Sequence, residues 1–466
     1  MTFIKDLCTL ALLSASVLTA AAAGPGGIDA DMLARLRSLN PASSSQRALR
    51  NALSEHTIDR VARNAESKNN FDTHFSHRVE SKGITDQQQS GRCWLFTGHN
   101  VLRAQMMKNV RLPELKLSQV YNFFYDQLEK SNLFLQGIID TAELPMDDKT
   151  VDWLFANPLS DGGQFTGIAD NFSKYGVVPA SVMAETANSN ATSRLSNLIS
   201  LKLREYGLKL RDMKASGASD ASIANEKEQM LSTIYRMLSL TLGEPPTEFS
   251  WTRCDAAGKP LETRTYTPQS FYKELAGNDL TGDYVMLMND PSRPFYQLYE
   301  IDYDRHAYDG KNWTYVNLPI EDIKEIAIAS IKDSTMMYFS CDVGKYLDRD
   351  RGYLDPDNFA YADLFETDFP MTKADRIRTH ASASSHAMTL MAVDLDEKGQ
   401  PRKWMVENSW GPGANDGHLI MSDRWFDEYM FRLVAQKKYV PKKVLSVLKQ
   451  TPVKLPAWDP LFSPDN

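Results

Sequence analysis

Cysteine is scarce in this chain: Cys8, Cys93, Cys254 and Cys341 are the only thiols in 466 residues. No paired Cys or His spacing suits a zinc site, so neither a metal nor another cofactor is expected. Loss of an N-terminal leader carrying Cys8 leaves an odd count, and then at least one thiol stays unpaired. Cys254 and Cys341 could form a disulfide, which spacing alone does not decide. Positive charge is also short, with 52 Lys and Arg against 60 Asp and Glu and a net charge of -8. That balance argues against a nucleic-acid role driven by a basic footprint. Beyond the leader no apolar run is long enough to span a bilayer. There is no internal repeat and no long low-complexity tract. With 42% hydrophobic and 24% charged residues the composition is that of a folded soluble chain.

The first 23 residues read as a secretory signal. Lys5 precedes an apolar and small-residue stretch over 7–23 that ends Thr19-Ala20-Ala21-Ala22-Ala23-Gly24. The Ala-x-Ala ending suits cleavage near Ala23, which places the protein outside the cytoplasm, in the periplasm or secreted. The competing reading is an uncleaved anchor, but the stretch is short for a span and rich in Ala and Ser. Cys8 precedes the apolar region, so it does not mark a lipoprotein.

The remaining chain divides into an N-terminal arm (24–70), a helical lobe (71–191), a helical insertion (192–250), a strand-rich lobe (251–450) and a C-terminal arm (451–466). Helices are expected over 93–108, 118–135 and 165–175. In the insertion, Leu195, Leu198, Leu201, Leu203 and Leu208 mark one helix, and Met230, Ile234, Met237 and Leu240 another. A soluble connector from Lys214 to Ser222 makes the pair a helical hairpin. Strands are expected over 284–288, 336–340, 389–395 and 403–406, with a helix over 321–332 between them. The fold class is α+β.

Two distant segments carry chemistry. In the first, Ser90-Gly91-Arg92 leads into Cys93. Ser90 suits a helix cap and Gly91 a tight turn, which puts Cys93 in the first turn of a helix, at the positive end of its dipole. A thiol there, beside an imidazolium, becomes a nucleophilic thiolate; taken alone, a buried structural role is the commoner one for such a cysteine. In the second segment, a strand begins after His386, turns at Asp396–Gln400 and returns toward Asn408. Folding this hairpin about Glu397 sets His386 opposite Asn408, whose amide oxygen can fix the ring's tautomer and orientation. Trp410 either belongs to the core or covers that contact from water. Seven other histidines compete: His56, His74, His77, His99, His306, His380 and His418. His380 precedes the strand, His74 and His77 with Asp72 form a surface cluster or a weak metal site, and His99 lies on the thiol helix, where helix packing suits it better than lining a pocket.

These segments resemble the papain-like cysteine peptidases, and more closely their bleomycin hydrolase/aminopeptidase C branch. The resemblance rests on Gln87, Ser90-Gly91-Arg92-Cys93-Trp94-Leu95-Phe96, Asp161-Gly162-Gly163-Gln164, Lys174-Tyr175-Gly176-Val177-Val178-Pro179, Asn289-Asp290-Pro291, Cys341-Asp342-Val343-Gly344-Lys345, His386-Ala387-Met388-Thr389, Val406-Glu407-Asn408-Ser409-Trp410-Gly411 and Leu455-Pro456-Ala457-Trp458-Asp459-Pro460. It covers roughly residues 71 to 466. It implies a papain-like two-lobed fold with a helical insertion. Cys93 becomes the nucleophile, His386 the base and then acid, Asn408 the orienter and Gln87 the oxyanion donor. It further implies a homohexamer with an inward-facing chamber, and a C-terminal arm in the cleft whose carboxylates bind the substrate's free amine. Here those would be Asn466 and Asp465. The tail Leu461-Phe462-Ser463-Pro464-Asp465-Asn466 departs from the small residues usual in the branch, and Thr97-Gly98-His99 stands where small apolar residues are more usual. Relatives are commonly cytosolic, so the leader implies a bacterial envelope version. The implied function is a thiol aminopeptidase acting on peptides with a free N-terminus. An endopeptidase on the same machinery and a non-catalytic peptide-binding chamber are the alternatives.

Overall fold

The computed structural model describes residues 26–41, 43–67, 72–112, 114–255, 257–277 and 279–461. The expected signal segment, Asp465 and Asn466 lie outside these residues. Contacts divide the chain into two compact units, 1–63 and 64–466. The first contains the helices Ala30–Leu39, Ser44–Glu55 and Ile58–Ala62. Local chemistry starts two of them. Asp29 accepts from the Met32 N–H, and Ser43 and Gln46 form a reciprocal capping box.

The second unit has a helical half and a sheet half. The thiol helix, Cys93–Val110, is buried around nearly its whole first three turns, so no single apolar stripe marks it. Gln119–Asp140 lies against it, capped by the Ser118 hydroxyl on the Tyr121 N–H. It runs five residues beyond the expected end. Phe165–Tyr175 stops at Gly176, which has a φ of 74°.

The insertion is the expected helical hairpin, Ser193–Ala215 and Asp220–Leu242, but its buried faces differ from the leucine stripes. Leu198, Leu201, Leu208 and Leu240 are exposed. Leu195, Leu203, Met230 and Ile234 are buried as expected, joined on the first helix by Ile199, Gly207 and Leu210 and on the second by Ile223, Leu238 and Leu242. Gly207 sets the phase. A Cβ there would meet the rings of Phe155 and Phe134 at 3.0 and 3.2 Å, so a side chain too small to signal burial lies on the buried face.

In the sheet half, the strands Tyr284–Met288, Met430–Gln436, Met337–Cys341, His386–Leu395, Pro401–Glu407 and His418–Ser422 pair in that order, all antiparallel. Their apolar side chains cluster with the helix Ile320–Lys332. A separate cluster fills the helical half and includes Cys93 and Ala387. The helix and hairpin that carry the expected thiol and imidazole therefore meet where the two cores adjoin. Among the described residues, no helix is long and apolar enough to cross a membrane.

The hairpin register differs from expectation. Thr389 faces Glu407 and Leu390 faces Val406, so the hairpin is centred on Lys398 rather than Glu397. Gly399, at φ 78°, takes the left-handed turn position, and the pairing moves by two residues at Thr389, Leu390 and Leu395 and by three from Ala392 to Asp394, between irregularities at Leu390/Ala392 and Asp394/Leu395. Continued to the start of the strand, this register sets Trp410, not Asn408, across from His386.

Candidate active site

Cys93 is the first residue of its helix and is 7% exposed. The cap is Arg92, without a side-chain hydrogen bond to the helix. Ser90, the expected cap, instead donates to the Gln87 carbonyl and accepts from Arg92 Nε at 2.9 Å. The Arg92 guanidinium is buried, paired to Glu185 at 2.8 Å and stacked over Phe96 and Phe123. The thiol thus lies at a helix N-terminus, where backbone N–H groups converge on developing negative charge.

His386 lies at the start of its strand. Its Nε2 is 2.8 Å from Asn408 Oδ1, the contact expected from the hairpin although the register differs. Asn408 lies just past the end of its strand. Its N–H donates to the Gly417 carbonyl at 3.1 Å, and its Oδ1 also accepts from the Ser409 N–H. An acceptor at Nε2 requires the proton on that nitrogen, which leaves Nδ1 as a base. Trp410 stacks on the ring at 4.8 Å and 29°, and the Arg349 guanidinium lies over the indole at 4.6 Å. Burial pulls the His386 pKa down to about 4, Asn408 opposes that shift, and Arg349 adds to it. The ring is therefore neutral, and able to accept a proton, at pH 7.

A short ladder ties the segment before the thiol to the segment after Asn408. The Gln87 N–H donates to the Ser409 carbonyl at 2.8 Å and the Gly411 N–H to the Thr85 carbonyl at 3.1 Å. Ser409 Oγ donates to Gln87 Oε1 at 2.7 Å, which fixes the amide's orientation. Gln87 Nε2 then spends one hydrogen on the Ser90 carbonyl at 2.6 Å and has a second available. Deeper in the same seam, Arg103 on the thiol helix and Glu407 on the strand form a buried pair at 2.9 Å, with the side chains 5% and 1% exposed.

Cys93 and His386 line one cleft of about 1080 Å³. Its floor includes Gly162 and Gly163, whose approach to the thiol helix is very close. A Cβ on Gly163 would lie 2.6 Å from the Trp94 ring and 2.3 Å from His306. Trp94 Nε1 donates to the Asp161 carbonyl at 2.7 Å, and the Asp161 carboxylate accepts from Thr192 and Ser196 at the start of the insertion. His306, a competitor by sequence, packs edge-on against Trp94 and bonds Asp126 through Nδ1 at 2.5 Å. Asp302, Tyr303 and Asp304 line the cleft beside it. Nothing in their sequence marked these residues: a charged loop between strands reads as surface.

Several candidates lie elsewhere. His99 does not line the cleft. It is buried against Phe172, both ring nitrogens lack a hydrogen-bond partner, and burial drives its pKa to about 3. Thr97 and Gly98 are buried with it, and a Cβ on Gly98 would meet Ile168 at 2.5 Å, so this departure alters packing behind the helix. His380 is exposed. His74 and His77 hold no metal-type cluster with Asp72, and no such group occurs among the described residues. Cys254 and Cys341 are both free thiols. Cys254 is on the hairpin Phe249–Cys254, whereas Cys341 is buried opposite His386. The chain's last described residue, Leu461, is buried near the cleft, and its carbonyl accepts from Arg432, one of the cleft's lining residues.

The Peptidase C1-like family model matches residues 27–462. Aminopeptidase C of Lactobacillus delbrueckii subsp. lactis is 37% identical over 418 residues, covering 88% of this chain and 92% of that protein. Human bleomycin hydrolase is 38% identical over 399 residues, covering 83% and 88%. The crystal structure of PepW from Lactobacillus rhamnosis HN001 superposes with a TM-score of 0.90 at 37% identity, covering 94% of this chain and 99% of that one.

Proposed function

Since this chain belongs to the Peptidase C1-like family, in the papain-like branch of aminopeptidase C and bleomycin hydrolase, we propose that it is a thiol aminopeptidase that releases N-terminal residues from peptides. The observation that carries the reading is the single cleft shared by Cys93 and His386, with the ring's far nitrogen held by Asn408. Nδ1 of His386 takes the thiol proton, and sulfur attacks the carbonyl carbon of the scissile amide. The oxyanion is received by the Cys93 N–H and the second hydrogen of the Gln87 amide. His386 then protonates the departing amine, leaving a thioester. A water deprotonated by the same nitrogen hydrolyses the thioester, and the thiol regains its proton. Trp410 keeps water from the ring's contact with Asn408. The steps need only side chains and water.

The free-amine requirement is assigned to the C-terminal arm, with Asn466 and Asp465 supplying carboxylates. The burial of Leu461 beside the cleft supports an arm that starts there. We further propose a homohexamer, on the family resemblance, and export, on the N-terminal pattern of charge, apolar run and Ala-x-Ala ending. Mass spectrometry of the protein from its native cell tests export, since the chain should begin near Gly24. Sedimentation gives the oligomer.

The decisive experiment pairs a free-amine peptide with its N-acetylated twin. The intact enzyme is expected to cleave only the first, and a chain shortened after Leu461 to cleave both. Cys93→Ala is expected to cleave neither while staying folded. Equal cleavage of both peptides by the intact enzyme would make it an endopeptidase. Full turnover by the Cys93→Ala variant would overturn the mechanism.

A further inference from the structure

The loop joining the strands Gln297–Ile301 and Thr314–Asn317 places an unpaired carboxylate in the cleft. Asp304 is partly exposed to that space. Its Oδ2 is buried without a hydrogen-bond partner, and it makes no ion pair with any described residue. The loop is held in place around it. The Trp313 N–H donates to the Asp304 carbonyl at 2.7 Å, and the neighbouring His306 bonds Asp126. Tyr303 adopts a φ of 61°, unusual for an aromatic residue, which this double anchoring sustains.

The cations lining the same cleft make their hydrogen bonds to groups other than Asp304, although Arg305 Nε is itself buried without a partner. Lys130 Nζ binds Asp126 at 2.9 Å and the carbonyls of Ser160 and Gly162 at 3.0 and 2.5 Å. Arg432 donates to Gln164 and to the Leu461 carbonyl. Arg305 reaches Asn312 and lies over the Tyr308 ring. Burial pushes the Asp304 pKa up to about 6, although Arg432 and Lys130 pull the other way. At neutral pH the group is an anion held without a partner, and a bound cation would relieve that state.

The walls beside it say which cation. Leu133, Phe134, Trp153, Leu154 and Tyr303 line the same cleft. An aliphatic stem with a charged head, as in lysine or arginine, buries its methylenes on such walls and delivers its head to a carboxylate. An ammonium borne directly on a peptide's Cα has no stem to use them. We propose that Asp304 is a specificity-determining residue that selects peptides carrying a lysine or arginine side chain. This rests on the aminopeptidase reading and names its substrate class.

The test compares arginyl and citrullyl coumarylamides, since citrulline keeps arginine's shape without its charge. The wild-type enzyme is expected to favour arginyl by about tenfold or more in kcat/KM. Asp304→Asn is expected to bring that ratio to within about twofold by lowering the arginyl value alone. A wild-type ratio near one overturns the proposal and needs no variant to fold. So does an equal loss for both substrates in Asp304→Asn, which would assign the carboxylate to the N-terminal ammonium or to the fold. A wild type that cleaves both substrates equally well leaves the aminopeptidase reading standing, whereas one that cleaves neither removes both.

Discussion

Cys93 and His386 share one cleft with residues 302–306, yet the segments that present the two groups are held in opposite ways. Around the first, polar groups are tied several times over. Gln87 bonds Ser409 through both backbone and side chain, Gly411 bonds Thr85, and Arg103 meets Glu407 in the seam below. The second is fixed at its edges by Trp313 and Asp126, while its carboxylate at Asp304 has no partner. Groups that must keep one geometry through every turnover are satisfied within the protein. A group that chooses among substrates gains by being satisfied only when one is bound.

The sharpest way to break this contrast is at Arg103. Arg103→Met leaves Glu407 buried and charged, and is expected to remove about 3–5 kcal/mol of stability, read as a lower urea midpoint. The double variant Arg103→Met/Glu407→Leu should recover most of it. A single-variant loss below about 1 kcal/mol, the scale of an exposed pair, would show that the seam is not held there.

Asn408→Ala tests the tied side within the chemistry. It is expected to lower kcat by about a hundredfold with little change in KM, because the ring loses its orienting acceptor while the cleft is unaltered. An unchanged kcat would mean that Trp410 stacking alone orients His386.

At neutral pH the least visible contribution comes from histidines buried neutral. His99 has a folded pKa near 3 and His386 near 4, both below the ordinary value of about 6.5. The unfolded chain therefore binds protons that the folded chain refuses as pH falls below 6.5. Each ring takes away stability at up to about 1.4 kcal/mol per pH unit, continuing down to its folded pKa. His99→Phe is expected to flatten the melting-temperature profile between pH 6.5 and 4 without changing turnover. An unaltered profile would show that His99 is not the proton sink.

Much of the site was legible because its chemistry is carried by local segments. Cys93 behind Arg92 at a helix start and a hairpin bringing His386 near Asn408 both follow from turn signals and alternation. The details failed where a single residue tipped a balance. Gly399 in the left-handed region shifted the hairpin centre from Glu397 to Lys398. Gly207 against Phe155 and Phe134 belongs to the buried face with Leu195 and Leu203, while Leu198, Leu201 and Leu208 are exposed. The Ser90 hydroxyl accepts from Arg92 Nε, where a cap would accept from a helix N–H, and donates to the Gln87 carbonyl. His99 packs against Phe172 as expected for its helix, because a helix buried on all sides sends most of its residues away from any one cleft.

The sequence by itself determined which groups can react and roughly how each is presented, since helix starts, strand alternation and turn residues act over a few neighbouring positions. Only the tertiary structure decided that residues 85–87 pair with 409–411, that His306 packs behind Gly163, and that Asp304 stands unpaired among the walls of the cleft. Those contacts join segments scores to hundreds of residues apart. Which partner each buried charge finds depends on what else the folded core brings within a few ångströms of it.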